Sequence, residues 1–370
     1  MDRLFGTVQE YAWGSHTALA ELTGRPAPTE QPEAEFWLGA HEAAPSRTAG
    51  GGLDEVVAAD PQGVLGASCA QRYGNRLPFL LKVLAPQRAL SIQCHPDAAQ
   101  ALDAPAGTYA DHWPKPEAVV PLTPLEMFAG MASFEQIVVR LDSLGVPELQ
   151  SVVRSARNAR ELLAGILAVP TQHRPAVVGR ALAALDGQHA VPQDEADAIR
   201  RVAHDYPGDI GLIVLMTMHY RVVLPGSYLF VPAGVLHAYV RGVTVEILAN
   251  SDNVVRAGLT PKKINVAELL RIVAVDGRMV AEAGHRDGRI VRFPVSAPQF
   301  RLLRIDPGDE PVGVDVTGPR IVLAIDGPVQ VICDGQSQQL DPGGAVFVSD
   351  GEGELQISGV GTAYLAAPGH

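Results

Sequence analysis

Hydrophobic and polar positions change rhythm twice along the chain. Up to about residue 130, short apolar runs such as LPFLLKVL (77–84) are broken by glycine and proline. That punctuation predicts short strands joined by tight turns. From 133 to 205 the spacing becomes helical, as in VVRSARNARELLAGILAV (152–169). Ser133 and Gln136 fit a capping box that opens a helix, and Pro147, Pro170, Pro175 and Pro192 divide the stretch into four or five short helices. The strand pattern returns in VVLPGSYLFVPAGVLHAYVRGVTVEILA (222–249). A helix is expected between Pro261 and Val273, with Ala267, Leu269, Leu270 and Ile272 partly buried. Beyond about 285, QFRLLRI, RIVLAI, VQVIC, AVFVS, ELQIS and TAYLAA alternate with turns, the rhythm of a small sandwich or jelly roll.

The two strand-rich parts echo each other. LPGSYLFVPAGVLH (224–237) aligns with DPGGAVFVSDGEGE (341–354). Pro225, Gly226, Phe230, Val231 and Gly234 match Pro342, Gly343, Phe347, Val348 and Gly351, and His237 falls opposite Glu354. Two units from one ancestral hairpin would explain this. The second keeps the turns and loses the histidine. No histidine occurs between Arg286 and Pro368, so a transition-metal site is not expected there.

Length and composition narrow the picture. The chain has 370 residues, enough for two or three domains, and 47% apolar residues, enough for a sizeable core. A net charge of −12 argues against a nucleic-acid partner. No apolar run approaches the roughly 18 residues of a membrane span. Cys69, Cys94 and Cys333 are too few and too scattered for a disulfide framework. A soluble, cytoplasmic monomer is the expectation. Among 29 basic residues only Lys82, Lys115, Lys262 and Lys263 are lysines. A chain so biased to arginine can reserve lysine for places where a compact, deprotonatable ammonium matters.

Candidate chemistry begins at Gly226–x5–Pro232–x–Gly234–x2–His237. The glycines permit turns, proline stiffens them, and the histidine emerges on a strand. This spacing resembles the second conserved motif of cupins, in which the histidine binds a metal inside the barrel. The partner segment is Ser91–Ile92–Gln93–Cys94–His95. A strand alternates faces, so Gln93 and His95 point together into a lumen and Cys94 points away. Two neutral nitrogens and an amide oxygen need a carboxylate beside a divalent cation. Glu117, in Pro114–Lys115–Pro116–Glu117, is the best candidate, with Lys115 on the same face.

The run HAYVRGVTVEILANSDNVVRAGLTPK (237–262) is similar to the long signature of the type I mannose-6-phosphate isomerase family, with Leu248 where a methionine is usual. Tyr109, Asp111, Lys115, Pro116 and Glu117 fit a second signature, whereas Trp113 and Pro114 stand where Asn and His are expected. YAWGS (11–15) and EFWLGAHEAAPS (35–46) also resemble the family. The resemblance implies one zinc per chain held by Gln93, His95, Glu117 and His237. Similar ligand sets also take Fe(II) or Mn(II). It also implies a sugar-phosphate substrate surrounded by Arg256, Glu246, Asp252, Lys262 and Lys115, with Ser91 and Lys82 as further phosphate or sugar contacts.

Aldose–ketose isomerisation moves a proton between C1 and C2 through a cis-enediolate, so it needs a base and a positive centre. Glu246 is the first candidate for the base, with zinc-bound hydroxide or a lysine as the alternatives; a second role for Glu246 would be to orient His237. Arg256 would stabilise the oxyanion or clamp the phosphate. Asp252 and Asn253 could instead cap a turn. Trp13 and Trp37 could line the pocket but read first as core, and His16, His41, His112 and His219 read as ordinary histidines. The expected architecture is mainly β with a helical insert: two cupin-type jelly-roll barrels plus an α-helical domain. Its parts are a catalytic unit (1–132 with 206–284), the insert (133–205) and a metal-free C-terminal jelly roll (285–370). An Fe(II) cupin dioxygenase and a non-catalytic sugar-phosphate binding protein are the competing readings.

Overall fold

Strand alternation sorts side chains into layers, and the computed structural model, which describes residues 1–369, stacks four main sheets and a helical layer accordingly. The first pair of sheets carries the candidate residues. One is seven-stranded, in the order Ala281–Ala283, Ser227–Val231, Glu117–Pro121, Thr244–Ala249, Phe79–Leu84, Glu35–Leu38, Thr7–Gln9. The other is five-stranded: Met218–Val223, Leu125–Met131, His237–Arg241, Ile92–Cys94, Val255–Gly258. The recorded strand pairings within these sheets are antiparallel. Among the described residues each sheet has two free edges, so the pair forms an open sandwich where barrels were expected.

Each face of these sheets has a different neighbour. Between them lie Leu84, Val119, Leu125, Met127, Ala129, Leu229, Val231 and Tyr239, which fill one part of the interior. The outer face of the five-stranded sheet presents Ile92, Cys94, Ala238, Val240, Val255 and Ala257 to the helices. The outer face of the seven-stranded sheet presents Phe36, Leu38, Phe79, Leu81, Val83, Ala118, Val120, Val245 and Ile247 to the C-terminal half. Every residue of Phe79–Leu84 is therefore buried, which explains its continuous apolar run. Lys82 is the exception, and it faces the interior.

The 133–205 stretch forms helices Phe134–Ser143, Pro147–Ser155, Ala159–Leu167, Arg174–Ala184 and Gln193–Asp205. Ser133 and Gln136 make the reciprocal capping bonds, at 3.3 and 3.1 Å. A further helix, Val266–Ile272, lies within the expected segment. Arg140 pins this layer to the sheet. Its buried guanidinium donates to Glu195 at 2.8 Å and to the carbonyls of Met218 and Met216 at 2.9 and 3.3 Å.

The C-terminal half is a second sandwich. Its seven-stranded sheet runs Asp2–Leu4, Ala345–Val348, Arg320–Ala324, Ala363–Ala367, Arg301–Ile305, Ile290–Phe293, His285–Asp287. A four-stranded sheet, Val312–Val314, Leu355–Gly359, Val329–Cys333, Gln336–Leu340, covers it. The strand Asp2–Leu4, from the stretch assigned to the first unit, joins the edge of this C-terminal sheet. Leu303, Ile305, Val322, Val331, Leu340, Val346 and Ile357 fill the interior with aliphatic carbon. The hairpin echo is visible in the backbone. Gly226 and Gly343 adopt φ of +93° and +77°, just before Ser227–Val231 and Ala345–Val348.

Removing one partner of a buried ion pair strands the other. Arg140→Ala is therefore expected to destabilise the fold by about 3–5 kcal/mol, seen as a lower denaturant midpoint. An unchanged midpoint would show that Arg140 does not hold the helical layer.

Candidate metal centre

Three ligand-bearing strands or strand ends meet inside the first sandwich. His237 opens His237–Arg241 and pairs directly with Gln93 of Ile92–Cys94. Glu117 opens Glu117–Pro121 on the facing sheet. His95 follows the Ile92–Cys94 strand, and its carbonyl accepts a 2.8 Å bond from the Gly234 amide. Gly234 has φ +75°, and a Cβ there would lie 2.5 Å from the Ile272 carbonyl oxygen, so only glycine fits this turn. The two histidine segments are thus joined by backbone before any side chain acts.

His95, Glu117 and His237 offer ligand atoms within 4.8 Å of one another, all buried. His95 Nε2 lies 3.2 Å from Glu117 Oε1, and His237 Nε2 lies 3.5 Å from Glu117 Oε2. Each imidazole contacts a backbone carbonyl through Nδ1: His95 to Asn253 at 2.8 Å, His237 to Val235 at 3.0 Å. A carbonyl can only accept, so Nδ1 carries the proton and Nε2 of the neutral ring is a bare lone pair. Both Nε2 atoms and Glu117 Oε2 lack a hydrogen-bond partner. Three acceptors therefore face one another with no donor between them. Burial lowers His95 to about 4, so that ring is neutral at pH 7. Burial opposes ionisation of Glu117, but neighbouring positive charge, that of Lys115 included, outweighs it and holds the carboxyl well below its usual range. A cation fits this donor set, and two imidazoles with a carboxylate suit zinc or iron. Gln93, in register with His237, lines the adjoining cleft. Cys94 packs in the core on the other face of its strand.

The cluster lies at a cleft of about 780 Å³. Lys82, Ser91, Gln93, Lys115, Glu117, Glu246, Asp252, Arg256 and Lys262 all line it. The structure thus brings together every expected substrate or catalytic residue. Lys115 Nζ is 3.1 Å from Glu117 Oε1. Glu246 sits across from Lys82 on one strand and Val119 on the other. The side chain of Arg256, across from Gln93, makes no hydrogen bond or ion pair with the described residues, and Lys262 lies exposed at the rim.

Several contributors escaped the sequence reading. Glu35 holds Lys82 Nζ at 3.0 Å and accepts from the Trp37 indole through the same oxygen. Alternation along Glu35–Leu38 was the available signal. Trp13 and Trp37, for which the sequence left both roles open, line the cleft as well as packing. Tyr239 lines it too, with a buried hydroxyl beside Glu246. Asn253 does more than cap a turn. Its Nδ2 donates at 2.8 Å to both the Asp111 and Trp113 carbonyls, while its own carbonyl orients His95. Trp113, where the family signature has another residue, lies under the Arg76 guanidinium at 4.2 Å. His41, read as ordinary, contacts Asp252.

Burial, reinforced by the charge of Glu117 and partly offset by Lys82, raises Glu246 from 4.5 to about 8. Between those values the folded protein keeps a proton that the unfolded chain releases. Its contribution to stability is complete below the lower value and is lost as pH rises through the upper. Metal-stripped protein should therefore melt progressively lower from pH 6 to pH 9, and Glu246→Gln should flatten that slope. Parallel slopes would remove Glu246 as the titrating group.

Residues 1–136 match the model of the phosphomannose isomerase type I catalytic domain. Over its full length the chain is 32% identical to mannose-6-phosphate isomerase of Escherichia coli, with 98% of each chain covered. It is 29% identical to the rat enzyme of that name, covering 93% of this chain and 92% of the other. A crystal structure of a phosphomannose isomerase variant from Salmonella typhimurium superposes with TM-score 0.90 at 32% identity, covering 100% of both chains. A mannose 6-phosphate isomerase bound with zinc and yttrium superposes at 0.87 with 32% identity, again over 100% of both. With coverage this complete at both levels, the chain belongs to the type I phosphomannose isomerase family.

Proposed function

We propose that this chain interconverts mannose 6-phosphate and fructose 6-phosphate with one zinc ion held by Gln93, His95, Glu117 and His237. The observation that carries this reading is the set of three mutually facing, donor-free acceptors at a cleft lined by lysine and arginine. Zinc bound there would supply a positive centre that polarises the carbonyl and hydroxyl oxygens of the open-chain sugar.

The chain's own residues do the rest. Glu246, whose burial favours holding a proton, is a stronger base than an ordinary glutamate and can take the proton from one carbon and return it to the next. Lys82 and Lys115, deep in the cleft, hold the negative charge that develops on the enediolate oxygens. Arg256 stays charged and its guanidinium has no partner among the described residues, so it can take the phosphate. Lys262 at the rim and the Ser91 hydroxyl complete that subsite. Asp252 accepts from sugar hydroxyls and fixes the rotation of the chain above Glu246.

We also read the two sandwiches as cupin-type jelly rolls around a helical insert, with unit boundaries near 132, 206 and 285. The paired glycine turns before Ser227–Val231 and Ala345–Val348 support descent from one hairpin unit. Among the described residues no helix is long and apolar enough to cross a membrane. The three cysteines are free and buried, which suits a reducing cytoplasm.

A chelator should abolish conversion of mannose 6-phosphate, and added zinc should restore it. Full turnover by metal-free protein would defeat the mechanism. His237→Ala should lose zinc on dialysis, measured by elemental analysis. Arg256→Ala should keep zinc while kcat/KM falls by about a hundredfold; a wild-type value would remove Arg256 from the site.

A further inference from the structure

Asp252 differs from its neighbours in how it is held. Asn250 donates to the Leu77 carbonyl at 3.1 Å, Ser251 to Asp111 at 3.0 Å, and Asn253 to Asp111 and Trp113. The Asp252 side chain is 58% exposed at the cleft, and its ion pair is to His41 Nε2, at 3.3 Å. A short carboxylate on such a loop would otherwise sample several rotamers.

His41 is built to prevent that. Only 4% of it is exposed. Its Nδ1 accepts from the Ala43 amide at 3.2 Å, so in the neutral ring the proton resides on Nε2 and is donated to Asp252. The ring edge packs on Trp37, with centroids 4.8 Å apart at 67°. Trp37 in turn lies under Lys82 Nζ, 4.4 Å from the ring centroid, and its indole N–H is anchored on Glu35. One indole thereby sets the distance between two charged groups of the cleft that come from different elements.

We propose that His41 is a positioning residue that fixes the Asp252 carboxylate in the cleft relative to Lys82. This rests on the reading of Asp252 as a substrate contact given above. His41 is not among the cleft-lining residues, so it acts through Asp252.

The test is a double-mutant cycle on zinc-loaded full-length protein, with mannose 6-phosphate as substrate and with zinc content and melting temperature measured for each variant. His41→Phe keeps the ring packing and removes the donor; kcat/KM should fall about tenfold, since sub-ångström to ångström misplacement of a reacting group costs one to two orders of magnitude. His41→Gln, whose amide nitrogen can stand near the position of Nε2, should recover most of that loss. In an Asp252→Asn background His41→Phe should cost nothing further. If instead the two losses multiply, His41 does not work through Asp252 and the inference falls. Wild-type kcat/KM in His41→Phe would also overturn it. Asp252→Asn at wild-type rate would sink the reading of Asp252 itself, a distinguishable failure. Should His41→Phe not fold, His41→Leu carries the same cycle.

Discussion

A buried carboxylate facing two unprotonated imidazole nitrogens is repulsive unless a positive charge sits among them, and the first sandwich is organised around that constraint. Folding must bring lone pairs from two sheets into a dry interior. Burying such groups without compensation costs several kcal/mol. The tautomers are set by backbone carbonyls on the far side of each ring, so the bare nitrogens are aimed before any ion arrives. Preorganisation of this kind is what a metal site requires of its surroundings.

The same constraint shapes the rest of the cleft. Glu35, Glu117 and Glu246 all act on Lys82, which remains a cation despite its burial. Lys115 lies against Glu117. Charges of both signs are thus interleaved across one face of the seven-stranded sheet, where strand register brings Trp37, Lys82, Glu246 and Val119 into a single row. Electrostatic preorganisation of a sugar-phosphate site follows from a pleat that puts alternate residues on one side.

Much of this was legible in the linear order of residues. Period-two alternation placed Gln93 and His95 together and sent Cys94 to the core. The glycine and proline spacing before His237 marked the turn that Gly234 makes. The Ser133–Gln136 pair marked the helical layer. What could not be read was any contact between distant elements that leaves no periodic trace. Glu35 beneath Lys82, Asn253 between His95 and the loop before Glu117, and His41 against Asp252 are of this kind. Sheet closure was also invisible: alternation specifies which face is apolar, not whether the outermost strands meet, and here they are left apart.

The wall that carries Glu117, Glu246 and Lys82 has a second side. Phe36, Leu38, Phe79, Leu81, Val83, Val245 and Ile247 on its reverse are covered by Phe293, Leu302, Ile321, Leu323, Phe347 and Ala366 of the C-terminal half. The C-terminal part is therefore a backing plate. A fragment severed near residue 285 would present a broad oily sheet to water, so the wall that carries the cluster depends on a unit that contributes nothing to the cleft.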